Sequence, residues 1–136
     1  MLEYYGGGYT CMKRRKQREI IMTCLYQYLL LDRDVDTLLE DNLKLKEKDS
    51  IAFIVTVVAE AISNYGSHIE KINDNLTEWE FDRLGYVEQA VILMATAELA
   101  LEQTDRAVVV NEAIELSKQY CDPQAYILLN GVLDKL

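Results

Sequence analysis

Proline and glycine are scarce in this sequence, which has one proline and six glycines among 136 residues. A sheet built from short strands needs many tight turns, and those turns depend on such residues, so the composition favours helices. The length is close to that of one domain with a substantial core. We therefore predict a single all-α domain.

Histidine and cysteine are also scarce, which limits the possible chemistry. His68 is the only histidine, and the three cysteines (Cys11, Cys24 and Cys121) form no Cys-x-x-Cys pair. Neither a zinc-site spacing nor a nucleophile motif is present, so we expect no enzyme activity, no metal and no cofactor. We expect His68 to lie on the surface. Unpaired cysteines are typical of a reducing cytoplasm.

Long apolar runs are absent, and the longest near-apolar stretch, residues 51–59, is too short to span a bilayer. Residues 1–12 contain three consecutive glycines and no Lys or Arg, so they do not resemble a secretion signal. We interpret them as a flexible leader before a helical domain at residues 13–136. The expected location is the cytoplasm.

Positive charge is concentrated in one place. The net charge is −9, yet five of the 14 basic residues lie within residues 13–18, and residues 19–136 carry 9 basic against 22 acidic side chains, a net −13. We call residues 13–18 the basic segment. This asymmetry predicts an arm that binds a polyanion, and a solvated helix start with a chance run of cations is the equally weighted alternative.

Apolar residues recur at the three- and four-residue spacing of an amphipathic helix in seven segments. The segments are residues 15–32, 32–43, 51–62, 67–76, 84–101, 109–120 and 123–135. Short connections join them, which predicts one compact domain of about seven helices.

Several residues predict where these helices begin and end. Gly66 fits a left-handed cap after the third helix. Thr77 and Glu80 have the spacing of a capping box, and Pro123 fits the first turn of the last helix.

Other residues predict how the helices pack. Trp79 and Phe81 are expected to be apolar anchors at a corner, and Gly131 suggests close packing of the last helix. Glu98 falls on the apolar stripe of the fifth helix. A buried carboxylate needs a partner, so we expect it to bond to a neighbouring helix.

The basic segment has a physical use at the start of the first helix. The side chains of Arg14, Arg15, Lys16 and Arg18 are expected to fan around the first turn and meet phosphates on several sides. An arginine can hold a phosphate with two hydrogen bonds and can also stack on a base. Cations gain nothing from the dipole at a helix N-terminus, which favours a functional reason for their presence.

Four stretches, RRKQREIIMTCLYQ, RLGYVEQAVILMATAEL, VVVNEAIELSKQY and NGVLDKL, resemble the NusB family of transcription antitermination proteins in order and spacing. The resemblance runs from about Arg14 to the end of the chain. It implies an all-helical fold of two packed bundles that binds the boxA element of ribosomal-RNA leader transcripts. It also implies pairing with NusE, a small-subunit ribosomal protein, in the complex that helps RNA polymerase resist termination.

The resemblance also suggests site residues. The arginine-rich N-terminus of the family falls on the basic segment, and its first-helix Leu-Tyr falls on Leu25 and Tyr26. A family glutamate of the central helix, associated with the partner or RNA surface, falls on Glu88. A departure is Leu128-Leu129, where many members have an aromatic residue. The RNA-binding candidates are Lys13, Arg14, Arg15, Lys16, Arg18 and Tyr26, and the partner-binding candidate is Glu88.

Two alternative functions stay open. The chain would act as a helical protein-interaction adaptor without direct RNA binding if the basic segment were incidental, and a small enzyme is a distant third. The helix stripes do not decide between a monomer and a homodimer.

Overall fold

The computed structural model describes residues 13–43 and 48–136 and is built from helices. They are α1 (Arg14–Leu31), α2 (Val35–Leu43), α3 (Lys48–Ser63), α4 (Tyr65–Asp74), α5 (Tyr86–Leu101), α6 (Arg106–Tyr120) and α7 (Pro123–Lys135), with a 3₁₀ turn at Phe81–Arg83. No strand occurs in the described ranges, so the predicted all-α class is confirmed. The predicted leader at residues 1–12 lies outside the described residues.

Helix α5 is the centre of the domain. All ten side chains from Gln89 to Glu98 are buried, as is typical of a helix surrounded by other helices. It contacts α1, α3, α4, α6 and α7. The helices α1 to α3 contact one another, and so do α5 to α7, which gives two packed bundles.

The buried face of α1 follows from its sequence pattern. Ile21, Cys24 and Leu25 have no exposed surface, and the same face continues towards the N-terminus through Gln17 and Arg18, both of which are also buried. The start of α1 is therefore anchored in the core rather than standing free of it.

The predicted helix boundary at Gly66 is wrong. Gly66 lies inside α4 and not in a left-handed cap, because the backbone passes from α3 to α4 through hydrogen bonds at Asn64 without a left-handed residue. The left-handed caps are Asp32 after α1 and Glu102 after α5, with φ of 52° and 55°.

The predicted capping box at Thr77 and Glu80 is also wrong, because α5 begins only at Tyr86. The turn before it is held instead by Asn73, whose Oδ1 accepts a hydrogen bond of 2.7 Å from the N–H of Phe81.

The two predicted corner anchors differ in burial. Phe81 is buried as predicted, whereas the side chain of Trp79 is 51% exposed and is not an anchor. Gly131 does not mark close packing, since a Cβ there would meet no atom within 4 Å. The expectation that His68 lies on the surface is wrong, because its ring is buried, and its Nε2 lies 2.9 Å from Glu60 Oε2 across the α3 to α4 junction.

The prediction for Pro123 is confirmed, because it occupies the first turn of α7. Asp122 caps that helix by accepting a hydrogen bond of 2.9 Å from the N–H of Ala125.

Candidate functional site

The basic segment forms the start of α1. Lys13 is the residue before the helix, and its carbonyl accepts the 3.0 Å hydrogen bond that opens the helix, from the N–H of Gln17. Lys13, Arg14, Arg15 and Lys16 are exposed. The first turn of α1 contains no acidic residue, so nothing within that turn offsets the repulsion between cations and the helix dipole.

Arg14 is held above an aromatic ring. Its guanidinium carbon lies 4.1 Å from the ring centroid of Phe53 on α3, and its Nη1 donates a 2.9 Å hydrogen bond to Gln17 Oε1. Stacking on Phe53 holds the guanidinium while leaving the side chain at the surface, where an anion can reach it.

Arg15 and Lys16 each face a carboxylate. Arg15 donates two hydrogen bonds to Glu112 on α6, from Nε at 3.0 Å and from Nη2 at 2.8 Å. The hydrogen bond from Arg15 holds the pKa of Glu112 below its ordinary value. Lys16 Nζ lies 3.4 Å from Glu19 Oε1. The exposed cations are therefore partly neutralised by the body of the protein.

Arg18 requires a correction. Its side chain is only 3% exposed and donates two hydrogen bonds to Glu98 on α5, at 2.7 Å and 2.8 Å. The expectation that Arg18 fans out towards phosphates does not agree with this placement. The expected bond from Glu98 to a neighbouring helix is confirmed, and Arg18 is the partner that the sequence reading missed.

An apolar groove lies beside the basic segment. It has a volume of about 190 Å³ and is lined by Met22, Thr23, Tyr26, Val87 and Tyr120. The hydroxyl of Tyr120 donates a 3.3 Å hydrogen bond to Glu19, the residue that also pairs with Lys16, so the groove adjoins the exposed cations. Burial and the nearby Glu19 carboxylate raise the pKa of the Tyr120 phenol.

The aromatic character of this groove extends along α5. The rings of Tyr26 and Tyr86 meet edge to face, with centroids 6.5 Å apart. Tyr86 and Tyr120 are nearly half exposed. Sequence reasoning selected only Tyr26; the excess of tyrosine over phenylalanine was the available signal for the other two rings.

Glu88 lies in a second concavity, of about 330 Å³, between the start of α5 and the start of α7. Trp79, Arg83 and Leu128 share its lining. The Glu88 side chain folds back over Gly85, so that a Cβ at residue 85 would overlap the Glu88 carboxylate. A carboxylate in the first turn of a helix is favoured by the helix dipole, which gives Glu88 a local structural role as well.

The neighbouring residues of the last two helices complete this surface. Burial, together with the hydrogen bond to Glu88, raises the pKa of the Cys121 thiol to about 12, so the thiol stays protonated at neutral pH. Leu129 is fully buried, whereas Leu128 lines the concavity. Residues 128 and 129, just before Asn130, are therefore aliphatic and offer no aromatic ring to this surface.

Metal-binding clusters and membrane-spanning helices were the two further possibilities for the part of the chain that the structure describes. Within residues 13–43 and 48–136, no group of three or more His, Cys, Asp or Glu side chains is placed to hold a metal ion. No helix in the same ranges combines the length and apolarity that a membrane span needs.

Comparisons with known proteins agree with this geometry. The model of the NusB family matches residues 15–136. The transcription antitermination protein NusB of Sulfurovum sp. is 31% identical over 128 residues, which cover 90% of this chain and 96% of that protein.

Two solved structures have the same fold. The NusB of T. maritima superposes with a TM-score of 0.85 at 27% identity, over 93% of this chain and 91% of that one. A crystal structure of the antitermination factors NusB and NusE in complex with double-stranded RNA gives a TM-score of 0.80 at 26% identity, over 91% and 96% of the two chains.

Proposed function

Because the chain belongs to the NusB family, as the family model over residues 15–136 shows, we propose that it is a transcription antitermination factor that binds boxA RNA together with NusE. The family and the general function predicted from the sequence are thereby confirmed. The matched relatives are transcription antitermination proteins, which agrees with the expectation of no catalytic activity. We infer a cytoplasmic location from the same kinship.

The observation that carries RNA binding is the set of exposed cations at the start of α1. Arg14, Arg15 and Lys16 project from one helical turn. Glu19, which pairs with Lys16 and with Tyr120, joins this turn to the aromatic groove that contains Tyr26. Phosphates bind to guanidinium and ammonium groups, whereas unpaired bases stack on aromatic rings, so the two features together suit single-stranded RNA. Lys13 belongs to the same surface. Arg18 does not, because its guanidinium is buried.

The second partner is a NusE-type protein. A relative of the same fold is solved in complex with NusE and RNA. We assign the concavity around Glu88 to the partner or to the RNA beside it, because exposed Trp79 and the Glu88 carboxylate offer an apolar contact next to a charge. Assembly with RNA polymerase follows from the antitermination function. A monomer and a homodimer both stay open.

The runner-up function is that of a protein-interaction adaptor without direct RNA binding. Exposed Ile127, at 68%, and exposed Trp79 favour a protein contact on the α7 side of the domain. The two functions differ in whether the purified chain binds RNA through α1.

Gel shifts of the full chain with boxA RNA and with a scrambled RNA of the same composition test the proposal, each with and without NusE. A body with net charge −13 repels RNA unless a partner covers part of it. We therefore expect weak, boxA-preferring binding by the chain alone and binding at least about tenfold tighter with NusE. Equal affinity for both RNAs in the presence of NusE would favour the adaptor function.

A further inference from the structure

Two arginines, one helical turn apart, each form a doubly hydrogen-bonded pair with a glutamate. Arg18 and Glu98 are both 3% exposed. The Arg15 side chain is 56% exposed and that of Glu112 is 20% exposed. We call Arg18–Glu98 the inner pair and Arg15–Glu112 the outer pair. The inner pair is closed to solvent, whereas a solute can reach the outer pair.

The outer pair is not needed to hold α1 against the body of the protein. The inner pair already joins α1 to α5, and Ile21 and Leu25 bury the same face of α1. Solvent-exposed ion pairs add little to stability, because water and salt screen them. The doubly hydrogen-bonded pairing of Arg15 with Glu112 therefore points to a role other than stability.

The geometry of the outer pair is the one in which arginine binds phosphate. Nε and Nη2 of Arg15 donate to the two carboxylate oxygens of Glu112 at 3.0 Å and 2.8 Å. A phosphate group takes two hydrogen bonds from the same edge of a guanidinium. Glu112 thus occupies the position in which an RNA phosphate would bind.

On the basis of the proposed RNA-binding function, we propose that Glu112 is an affinity-setting residue, whose carboxylate holds the phosphate-binding edge of Arg15 in the free protein and must be displaced by RNA. The displaced carboxylate stays near the incoming phosphate and repels it. A polyanion that contacts Arg15 alone gains little binding free energy when its phosphate replaces the Glu112 carboxylate. RNA that also contacts Arg14, Lys16 and the tyrosine groove gains enough to complete it, so Glu112 increases discrimination between cognate RNA and other polyanions.

Binding of a fluorescent boxA oligonucleotide at one salt concentration tests this role. Glu112→Gln removes the charge and keeps the size of the side chain. We expect the variant to bind RNA about three- to fivefold more tightly than the parent chain, the range that an exposed ion pair supports. We also expect a larger gain for a scrambled RNA than for boxA RNA, because discrimination is lost.

Asp41→Asn is the matched control. Asp41 pairs with Arg33 at 3.1 Å, both are 51% exposed, and the substitution makes the same change in net charge beyond the C-terminal end of α1, at the opposite end from the basic segment. It is expected to leave RNA affinity within about twofold of the parent. In an Arg15→Ala background, Glu112→Gln should change RNA affinity little, because the guanidinium for which carboxylate and phosphate compete is then absent. The two single variants and the double variant form a double-mutant cycle that measures this coupling.

Unchanged or weaker RNA binding by folded Glu112→Gln, with the parent chain binding normally, would overturn this inference and leave the proposed function intact. Weaker binding would show that Glu112 positions Arg15 instead. A gain that persists in the Arg15→Ala background would also overturn it, in favour of a general charge effect. Failure of every variant and of the parent to bind RNA would overturn the proposed function as well.

Discussion

The buried pair of Arg18 and Glu98 offers the sharpest test of how the basic segment is built. Glu98→Gln leaves the arginine charge buried while its carboxylate partner becomes neutral. Loss of one partner from a buried ion pair costs about 3–5 kcal/mol. The glutamine oxygen can still accept one of the two hydrogen bonds from Arg18, so we expect the lower end, about 3 kcal/mol. A domain of this size has a total stability of about 5–15 kcal/mol, and the variant should therefore stay folded.

Urea unfolding followed by circular dichroism measures this loss. With a slope of about 2 kcal/mol per molar urea, the midpoint should fall by about 1.5 M. The double variant Arg18→Met with Glu98→Leu fills the site with apolar side chains and should recover most of the stability. A loss below about 1 kcal/mol for Glu98→Gln would refute the reasoning, because it would mean that Arg18 is solvated. RNA affinity of the folded double variant should stay within about twofold of the parent, and a large loss would return Arg18 to the RNA-binding set.

Three further predictions concern the surface. Glu88→Lys should weaken association with NusE, measured by titration calorimetry, without changing the helical signal; unchanged affinity would remove Glu88 from the partner site. Tyr26→Ala should weaken boxA binding by about 1–3 kcal/mol while Tyr26→Phe retains it, as stacking requires, and equal effects of the two would exclude stacking. The pKa of Glu112 is lowered in the folded state, so the small stability from its pair with Arg15 is present above the ordinary carboxylate pKa and is lost as the pH falls through the lowered value. The difference in unfolding free energy between the parent and Glu112→Gln should accordingly shrink in acid, and a difference that grows there would contradict the pairing.

The sequence pattern predicted the helices and the need of Glu98 for a partner, because helical spacing and the desolvation of a carboxylate are local properties. The partner was missed although a signal existed. Arg18 precedes Ile21 by three residues and Leu25 by seven, which places it on the buried face of α1. Its charge groups Arg18 with the neighbouring exposed cations, whereas its helical position places it on the buried face. The contact joins residues 80 apart in the chain, and no local rule gives such a distance.

Glycine and aromatic residues misled the sequence reading where tertiary context decides their role. Gly66 resembled a helix terminator, yet the chain continues into α4 with no left-handed residue. Trp79 resembled a core anchor, yet Phe81 took the buried position and left the indole at the rim of the Glu88 concavity. Tyr120 ends the apolar pattern of residues 109–120, and that pattern predicted only a place on α6. Its place in the groove depends on how α1, α5 and α6 meet, which the sequence of one helix does not contain.

The most direct measurement of the central claim compares two charge-matched triple variants in boxA binding across a range of salt concentrations. One replaces Arg14, Arg15 and Lys16 by alanine, and the other replaces three exposed cations elsewhere, Arg33, Lys71 and Lys135. The first variant should lose most RNA affinity and flatten the log–log salt slope by about 2, since each phosphate contact on a single strand contributes about −0.7. The second should bind nearly as tightly as the parent with nearly the same slope. Equal losses in the two variants would contradict the claim that RNA binds at the start of α1.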